Sequence, residues 1–479
     1  PMLELEAGAT QTIPVAISHW SDRTAEALTL RWRMDWIDGW GQTQEGTWQT
    51  RPAKWAPFAV TPQDPILCAA PEQPGVGALL VEVVDGDAVL ARNYLNLTVQ
   101  APLPRREVVD DKRIALRFEP TDVAAWQWKA SPTPMTTASK VAAHGSGFAE
   151  YRLALPEGIA ADALQSIEVI AELSAKAKEE KLDWPARRTP FDYPQTDSKK
   201  FPTDVRLSLN GVEAWRQTLA DDPADARGAL SHARQQDPGS YGWLVRATVA
   251  GTVLQQALAA GKDGQLVIRF EVPENAEHRG GLAIFGRGLG RYAVDPTCVL
   301  TFRQPHGLGT EMTSQEPVAV DRLTDRIRAV VPTAEQAPHR WRFTTDKPAD
   351  GWARPAFDDS GWKSGSGGFG TRETPNAIVG TRWRTHDIWL RTTFDLADAK
   401  AVVAAALRVH HDEDAEIYLN GEPIAKRPGF VDHYVDVALD ATALAALQNG
   451  TNVLAVHCHQ TDGGQNIDVG LSLTLSPPK

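Results

Sequence analysis

Short runs of alternating apolar and polar residues, separated by turn-forming residues, recur along most of the chain. Period-two alternation sends successive side chains to opposite faces of a strand. In the first hundred residues, runs 11–18, 28–34, 78–84 and 89–99 read as strands, the last two flanking Asp85-Gly86-Asp87, a hairpin signal. Further strands are expected at 113–118, 150–155, 167–173, 205–209, 266–272 and 298–302, and a short helix at 252–260. Nowhere do strands alternate with helices as a (β/α)8 barrel or a nucleotide-binding sheet requires. The expected class is all-β.

The pattern divides into blocks. Residues 1–101 have the strand spacing of an immunoglobulin-like β-sandwich. The proline-rich joint Ala101-Pro102-Leu103-Pro104 leads to a second β block, 104–303. A polar connector, 304–337, with local order expected near 324–331, precedes a third block, 338–476.

The second and third blocks share an ordered series. Val205, Leu207 and Leu209 alternate inward before Asn210-Gly211, as Ala415, Ile417 and Leu419 do before Asn420-Gly421. Asn-Gly suits a type I′ turn, whose two central residues need positive φ. A later strand (264–270 and 450–456) and a closing strand (299–302 and 471–475) follow in each. One sandwich used twice is the expectation. In the second block the ends opposite the turn run into two long loops, 175–203 and 221–243, rich in aromatic and charged residues. Trp184, Tyr193, Tyr241 and Trp243 on these loops are candidate ligand contacts. In the third block the same geometry brings His410, His411, Asp412 and Asp414 near Arg427, Phe430, His433 and Tyr434. This end is the preferred ligand face.

Composition narrows the partners. A net charge of −12 disfavours nucleic acid, whose phosphates need a basic face. No apolar run is long enough to span a membrane. Cys68, Cys298 and Cys458 are too sparse for a disulfide framework or a metal-ligand spacing. Pro1 to Ile17 lacks the pattern of a signal peptide, and the chain opens close to a strand, so a fragment, a processed chain or a designed piece is expected. Sixteen tryptophans are many; about two thirds are expected between sheets, leaving others as flat faces for sugar rings.

The third block also carries the segments 351–362, Gly368-Phe369-Gly370, 387–394 (with Trp389 and Arg391), 411–421 and 450–456, in that order. This series resembles the galactose-binding-like jelly rolls of glycoside hydrolase family 2 enzymes and related carbohydrate esterases. The first block resembles the immunoglobulin-like sandwich that follows the catalytic barrel in that family, and the second resembles its additional C-terminal sandwiches. The resemblance implies an immunoglobulin-like sandwich followed by two galactose-binding-like jelly-roll β-sandwiches, forming a non-catalytic accessory region of a β-galactosidase- or β-glucuronidase-like enzyme. It also implies a polysaccharide or oligosaccharide partner, an upstream catalytic domain, and a secreted or periplasmic location. The family's catalytic glutamates sit on barrel strands, so neither carries over.

The residues support binding more readily than catalysis. Adjacent carboxylates such as Asp110-Asp111, Asp221-Asp222 and Asp358-Asp359 read as turn or cap residues, because neighbours on a strand face opposite ways. Gly286 to Gly290 precedes no helix that could cradle phosphate, and no nucleophile elbow is present. Asp412 and Asp414, with Glu416, share a face if their strand is regular, a donor set that suits a structural Ca2+. Trp383, Trp389, His410, Asp412 and Asp414 are the expected sugar contacts of the third block. Two alternatives stay open: a scaffold or dimerisation region without ligand, and a β-sandwich polysaccharide lyase using Tyr241, His232 and Arg234.

Overall fold

The computed structural model describes residues 2–22, 27–128, 135–137, 140–157, 159, 161–176, 202–219, 242–261, 264–278, 280–287, 292–431 and 433–476. The architecture is all-β, and the chain divides into two compact units, Pro1–Arg322 and Leu323–Lys479. Among the described residues no helix is long and apolar enough to cross a membrane.

The first unit holds two sandwiches. In the first, a six-stranded sheet runs in the order Met2–Glu6, Ala88–Gln100, Gly75–Asp85, Thr29–Asp38, Thr43–Gln44, with Gln49–Pro52 also paired to Thr29–Asp38. The expected hairpin is present: Asp85 pairs with Ala88 around Gly86, whose φ is 59°. The expected strand 11–18 is instead two strands, Thr10–Ile13 and Ala16–His19, in separate ribbons. Pro14 lies at the break, and without an N–H it cannot continue a ladder. Trp36, Leu79, Leu97 and Ile66 fill this core.

The second sandwich packs an eight-stranded sheet on a six-stranded one. In the latter, Ala125–Trp128, Gly147–Ala154, Gln265–Val272, Thr203–Leu209 and Val212–Leu219 lie in that order. Strand Thr203–Leu209 alternates buried and half-buried residues without a break, as its period-two sequence dictates. The two sandwiches of this unit meet through Trp40, whose ring lies 4.7 Å from the guanidinium of Arg117, and through Ile37, Val76 and Ala293. Arg117 is 1% exposed and pairs with Glu107 at 2.6 Å. Gly41 lies so close to Leu244 that a Cβ would come within 2.1 Å of it.

The second unit is the third sandwich. One sheet has the order Lys363–Ser366, Arg340–Thr344, Asp387–Leu396, Gly450–His459, Asp414–Leu419, Glu422–Arg427. The other runs Thr381–Arg382, Phe369–Gly370, Asn466–Leu475, Val402–Asp412, Val435–Ala438, with Ile327–Val331 also on Asn466–Leu475. Trp341, Phe369, Trp383, Leu390, Ile417 and Leu454 belong to its core. The expected connector 304–337 is thus divided: Ala319–Val320 adds a strand to the second sandwich, and Ile327–Val331 adds one to the third.

Candidate functional site

The third sandwich changes sheets where the sequence places its acidic cluster. Strand Val402–Asp412 belongs to one sheet and Asp414–Leu419 to the other, with Glu413 between them. Asp412, Asp414 and Glu416 therefore do not share one face, contrary to the expectation from a regular strand. Asp414 and Glu416 stand on the outer face of their sheet, since Ala415 and Ile417 enter the core. Asp412 stands on the other sheet.

The segment after strand Glu422–Arg427 folds back over this crossing. The Gly429 N–H donates to Asp414 Oδ1 at 2.6 Å, and the Val431 N–H to the His411 carbonyl at 3.0 Å. Tyr434 donates to Asp468 Oδ2 at 2.7 Å, and its ring lies 5.2 Å from that of His410. Phe430, between these anchors, is 65% exposed. These bonds lay the return segment against His410, His411 and Asp414, part of the set expected to meet at this end.

A second segment, 460–465, closes the same end. The Gln460 N–H donates to the His386 carbonyl at 2.6 Å, and Gln465 Nε2 to the Thr385 carbonyl at 2.6 Å. The Gln465 N–H donates to Thr374 Oγ1 at 2.7 Å, and Thr461 bonds Glu413. Gln460 Nε2 bonds the carbonyls of Asp462 and Gly464, while its buried Oε1 receives no hydrogen bond from the described residues.

Two carboxylates on this sheet differ sharply. Asp468 is 2% exposed and accepts from the Ala334 and Gly368 N–H groups and from Tyr434. Burial still pushes its pKa up, against those bonds. Asp412 is 9% exposed, yet its carboxylate accepts no hydrogen bond from any described residue. Burial and the adjacent Glu413 both push its pKa up. Oδ2 rests against Gly464, where a Cβ would come within 2.3 Å of it. A side chain at 464 would take the space this carboxylate occupies. Its oxygens are not among the fully buried unpartnered atoms, so the carboxylate end of Asp412 reaches solvent and keeps its acceptor capacity open there.

On the outer face of the other sheet, His457 Nε2 and His459 Nδ1 donate to the same oxygen, Asp387 Oδ1, at 2.8 and 2.9 Å. Burial opposes the charge on Asp387, but the two imidazoles outweigh it and hold the carboxyl below its ordinary range. Trp389 stacks on His457 at 4.7 Å with 10° between the planes. The sequence reading passed over Asp387, His457 and His459; the alternation His457-x-His459 on a strand was the available signal, since it puts both on one face.

The other expected contacts are placed as follows. Trp383 is 3% exposed within the core, its Nε1 donating to Thr385 Oγ1 at 2.8 Å, so its ring faces the interior rather than a sugar. Trp389 is also buried, flat against His457. His410 is fully buried beside Tyr434. Trp243, half-exposed, opens a strand of the second sandwich, in the other unit. Trp184, Tyr193 and Tyr241, with His232 and Arg234, lie outside the described residues. Among the described residues no three His, Cys, Asp or Glu side chains are grouped to hold a metal ion, Asp412 and Asp414 included.

No protein-family profile matches this chain, and no curated protein does. Solved structures do match part of it, among them glycosidases of family 2 and β-glucuronidases. A glycosyl hydrolase family 2 member from Bacteroides cellulosilyticus is 20% identical over 31% of this chain and 21% of its own, with a TM-score of 0.23. A β-glucuronidase from Bacteroides uniformis is 22% identical over 31% of this chain and 18% of its own, TM-score 0.23. A β-glucuronidase from an uncultured Clostridium species is 16% identical over 31% and 29%, TM-score 0.21. Each likeness thus spans less than a third of either chain.

Proposed function

We propose that the chain is a carbohydrate-binding accessory region of a multidomain glycosidase, working outside the cytoplasm beside a catalytic domain. The sugar sits at the end of the third sandwich that carries Asp412. The observation that carries this reading is the Asp412 carboxylate, which stands at the sheet crossing with no donor among the described residues and with its oxygens open to solvent. A sugar ring offers neighbouring hydroxyl donors that satisfy such a carboxylate, and exposed Phe430 offers an apolar ring face nearby. Binding is favoured over bond cleavage because glycoside hydrolysis needs two carboxylates placed across one bond, with an acid and a base or nucleophile in fixed roles. The two carboxylates next to it in sequence are engaged, Asp414 by the Gly429 N–H and Glu413 by Thr461.

Calorimetric titration with neutral and acidic polysaccharides tests the reading. Asp412→Asn should weaken binding about 10- to 100-fold, the worth of hydrogen bonds to a charged group. Absence of binding at millimolar ligand, with folding intact, would favour a scaffold or dimerisation region instead. Release of an unsaturated uronate product would favour the lyase.

A further inference from the structure

We infer that the first sandwich carries a stacking platform of its own, Trp20 with Phe58, which takes the flat C–H faces of a neutral, β-1,4-linked polysaccharide. The pair lies in the first unit and is independent of Asp412.

The platform ends the ribbon in which Ala16–His19 pairs with Ala59–Pro62. His19 lies opposite Ala59, so Trp20 and Phe58 are the next residues on the two chains of the ribbon. Exposure alternates along both: Ile17, His19, Ala59 and Thr61 are half-buried, while Ser18 and Val60 face solvent. Trp20 is 68% exposed, the most of any tryptophan among the described residues, and Phe58 is 62% exposed.

Three observations set this pair apart from apolar residues scattered singly on a surface. Trp20 Nε1 donates to Ser18 Oγ at 2.6 Å. That bond holds the indole in place although it stands in solvent, and it occupies the ring's one donor, which leaves the ring faces for a ligand. On the half-buried side, His19 meets Trp55 edge to face at 5.0 Å and braces the end of the strand. The second observation is the backbone at Phe58, with φ of 53° in the Pro57-Phe58 turn. This left-handed region favours glycine or asparagine, and a bulky side chain is strained there. Burial does not offset the strain, because the ring is turned out to water. An exposed ring kept at a strained position is an outlier of the kind found at contact sites. Thirdly, the outward positions Ala16, Ser18, Trp20, Phe58, Val60 and Pro62 bear no charge, on a chain whose net charge is −12.

These features choose the occupant. A row without charge and with few polar groups cannot pair a uronate or a sulfate, nor hold hydroxyls one by one. It can cover apolar C–H surface, and rigid aromatic rings do so with little entropy to lose. In β-1,4-linked pyranoses with equatorial substituents, C–H bonds gather on the two flat faces and hydroxyls point to the rim. A second protein is a poorer fit in size. Five residues on two strands span about 17 by 10 Å, roughly a fifth of the ~800 Å2 that each partner gives to a stable interface.

The test is adsorption of the full chain to microcrystalline cellulose, with a cellohexaose titration followed by tryptophan fluorescence. The chain should bind both. Trp20→Ala should weaken binding at least about 10-fold. Phe58→Gly should weaken it about 3-fold or more and raise the thermal midpoint, because the ring and the strain leave together. Asp412→Asn should leave adsorption unchanged. A folded chain that binds neither probe would overturn the platform and leave the Asp412 reading standing. Adsorption lost in Asp412→Asn but kept in Trp20→Ala would overturn it too, and assign the glycan to the third sandwich. A dimer in sedimentation that Trp20→Ala dissociates would make the rings a protein contact instead.

Discussion

The second and third sandwiches repeat one plan but differ in what their outer faces carry. Both place a strand, an Asn-Gly turn and a second strand at one edge, Thr203–Leu209 with Val212–Leu219 and Asp414–Leu419 with Glu422–Arg427. Both insert a short helix, Gly251–Ala260 or Ala441–Ala445, before the strand that pairs with the first of these. In both, the asparagine takes a left-handed φ, 49° at Asn210 and 51° at Asn420. Asn210 Oδ1 accepts from the Val267 N–H at 2.8 Å, and its Nδ2 donates to the Ala257 carbonyl at 2.9 Å. Asn420 does the same with Val453 at 2.7 Å and Ala446 at 2.9 Å, and adds a bond to Asn452. The turn thus clamps helix and strand together in each copy.

Away from the core the copies diverge. Ladder register equates Glu150 with Arg391, Phe148 with Trp389 and Glu271 with His457. In the second sandwich Glu150 holds Arg269 at 2.6 Å, and Arg269 lies over Phe148. In the third, Arg391 reverses the charge: it pairs with Asp359 at 2.7 Å and bonds the carbonyls of Trp352 and Arg354. Asp204 accepts from Thr218, Asn275 and His278, whereas its counterpart Asp414 takes the Gly429 N–H. The inward alternation and the clamp conserve the plan, while the outer faces are free to take up other work.

The largest test of this comparison is the charge reversal. Arg391→Ala should cost about 3–5 kcal/mol, the usual loss when one member of a buried ion pair is removed, read by denaturant unfolding of the second unit. A loss below about 1 kcal/mol would show that the 351–362 segment is held by other contacts. Next in size is the clamp. Asn420→Ala and Asn210→Ala should each cost about 1–3 kcal/mol through orphaned backbone groups, with Asn420→Ala the larger because Asn452 also loses a partner. Equal losses would remove that distinction.

Smaller still is the contrast between the two aspartates. Asp468→Asn should lower the midpoint of thermal unfolding, because an amide replaces one of the oxygens that accept three donors. Asp412→Asn should leave it unchanged or raise it, since an uncompensated charge is removed. The smallest effect is in pH. Burial holds the His411 pKa below 6.5, so the folded chain resists the proton that the unfolded chain accepts. This contribution is fully present above pH 6.5 and is lost as pH falls below it. Asp412, with its pKa raised, has the opposite sign: stability is regained as pH falls through its folded value toward 3.8. Thermal midpoints at pH 7.5 and 5.5 should converge in His411→Gln.

Much of this was legible from residue order. The alternation at 205–209 and 415–419 identified the repeated hairpin, because period two has one meaning when one face is buried. The meeting of His411 and Asp414 with the 428–434 segment followed from hairpin geometry. The sheet change at Glu413 was not legible, since the run through 411–416 alternates as one strand would. Nor was the burial of Trp383 and Trp389: an indole that packs and an indole that binds sugar are the same letter, and neighbouring elements decide which it becomes.

The clamped turns also bear on how the protein ages. An Asn-Gly pair is where a polypeptide most readily deamidates, by attack of the glycine nitrogen on the asparagine side-chain carbonyl carbon. In both copies that side chain is pinned at its oxygen and its nitrogen, so the attack geometry is withheld while the fold is closed. Each turn then acts as a recorder, its isoaspartate content reporting how often that edge of the sandwich has opened during storage.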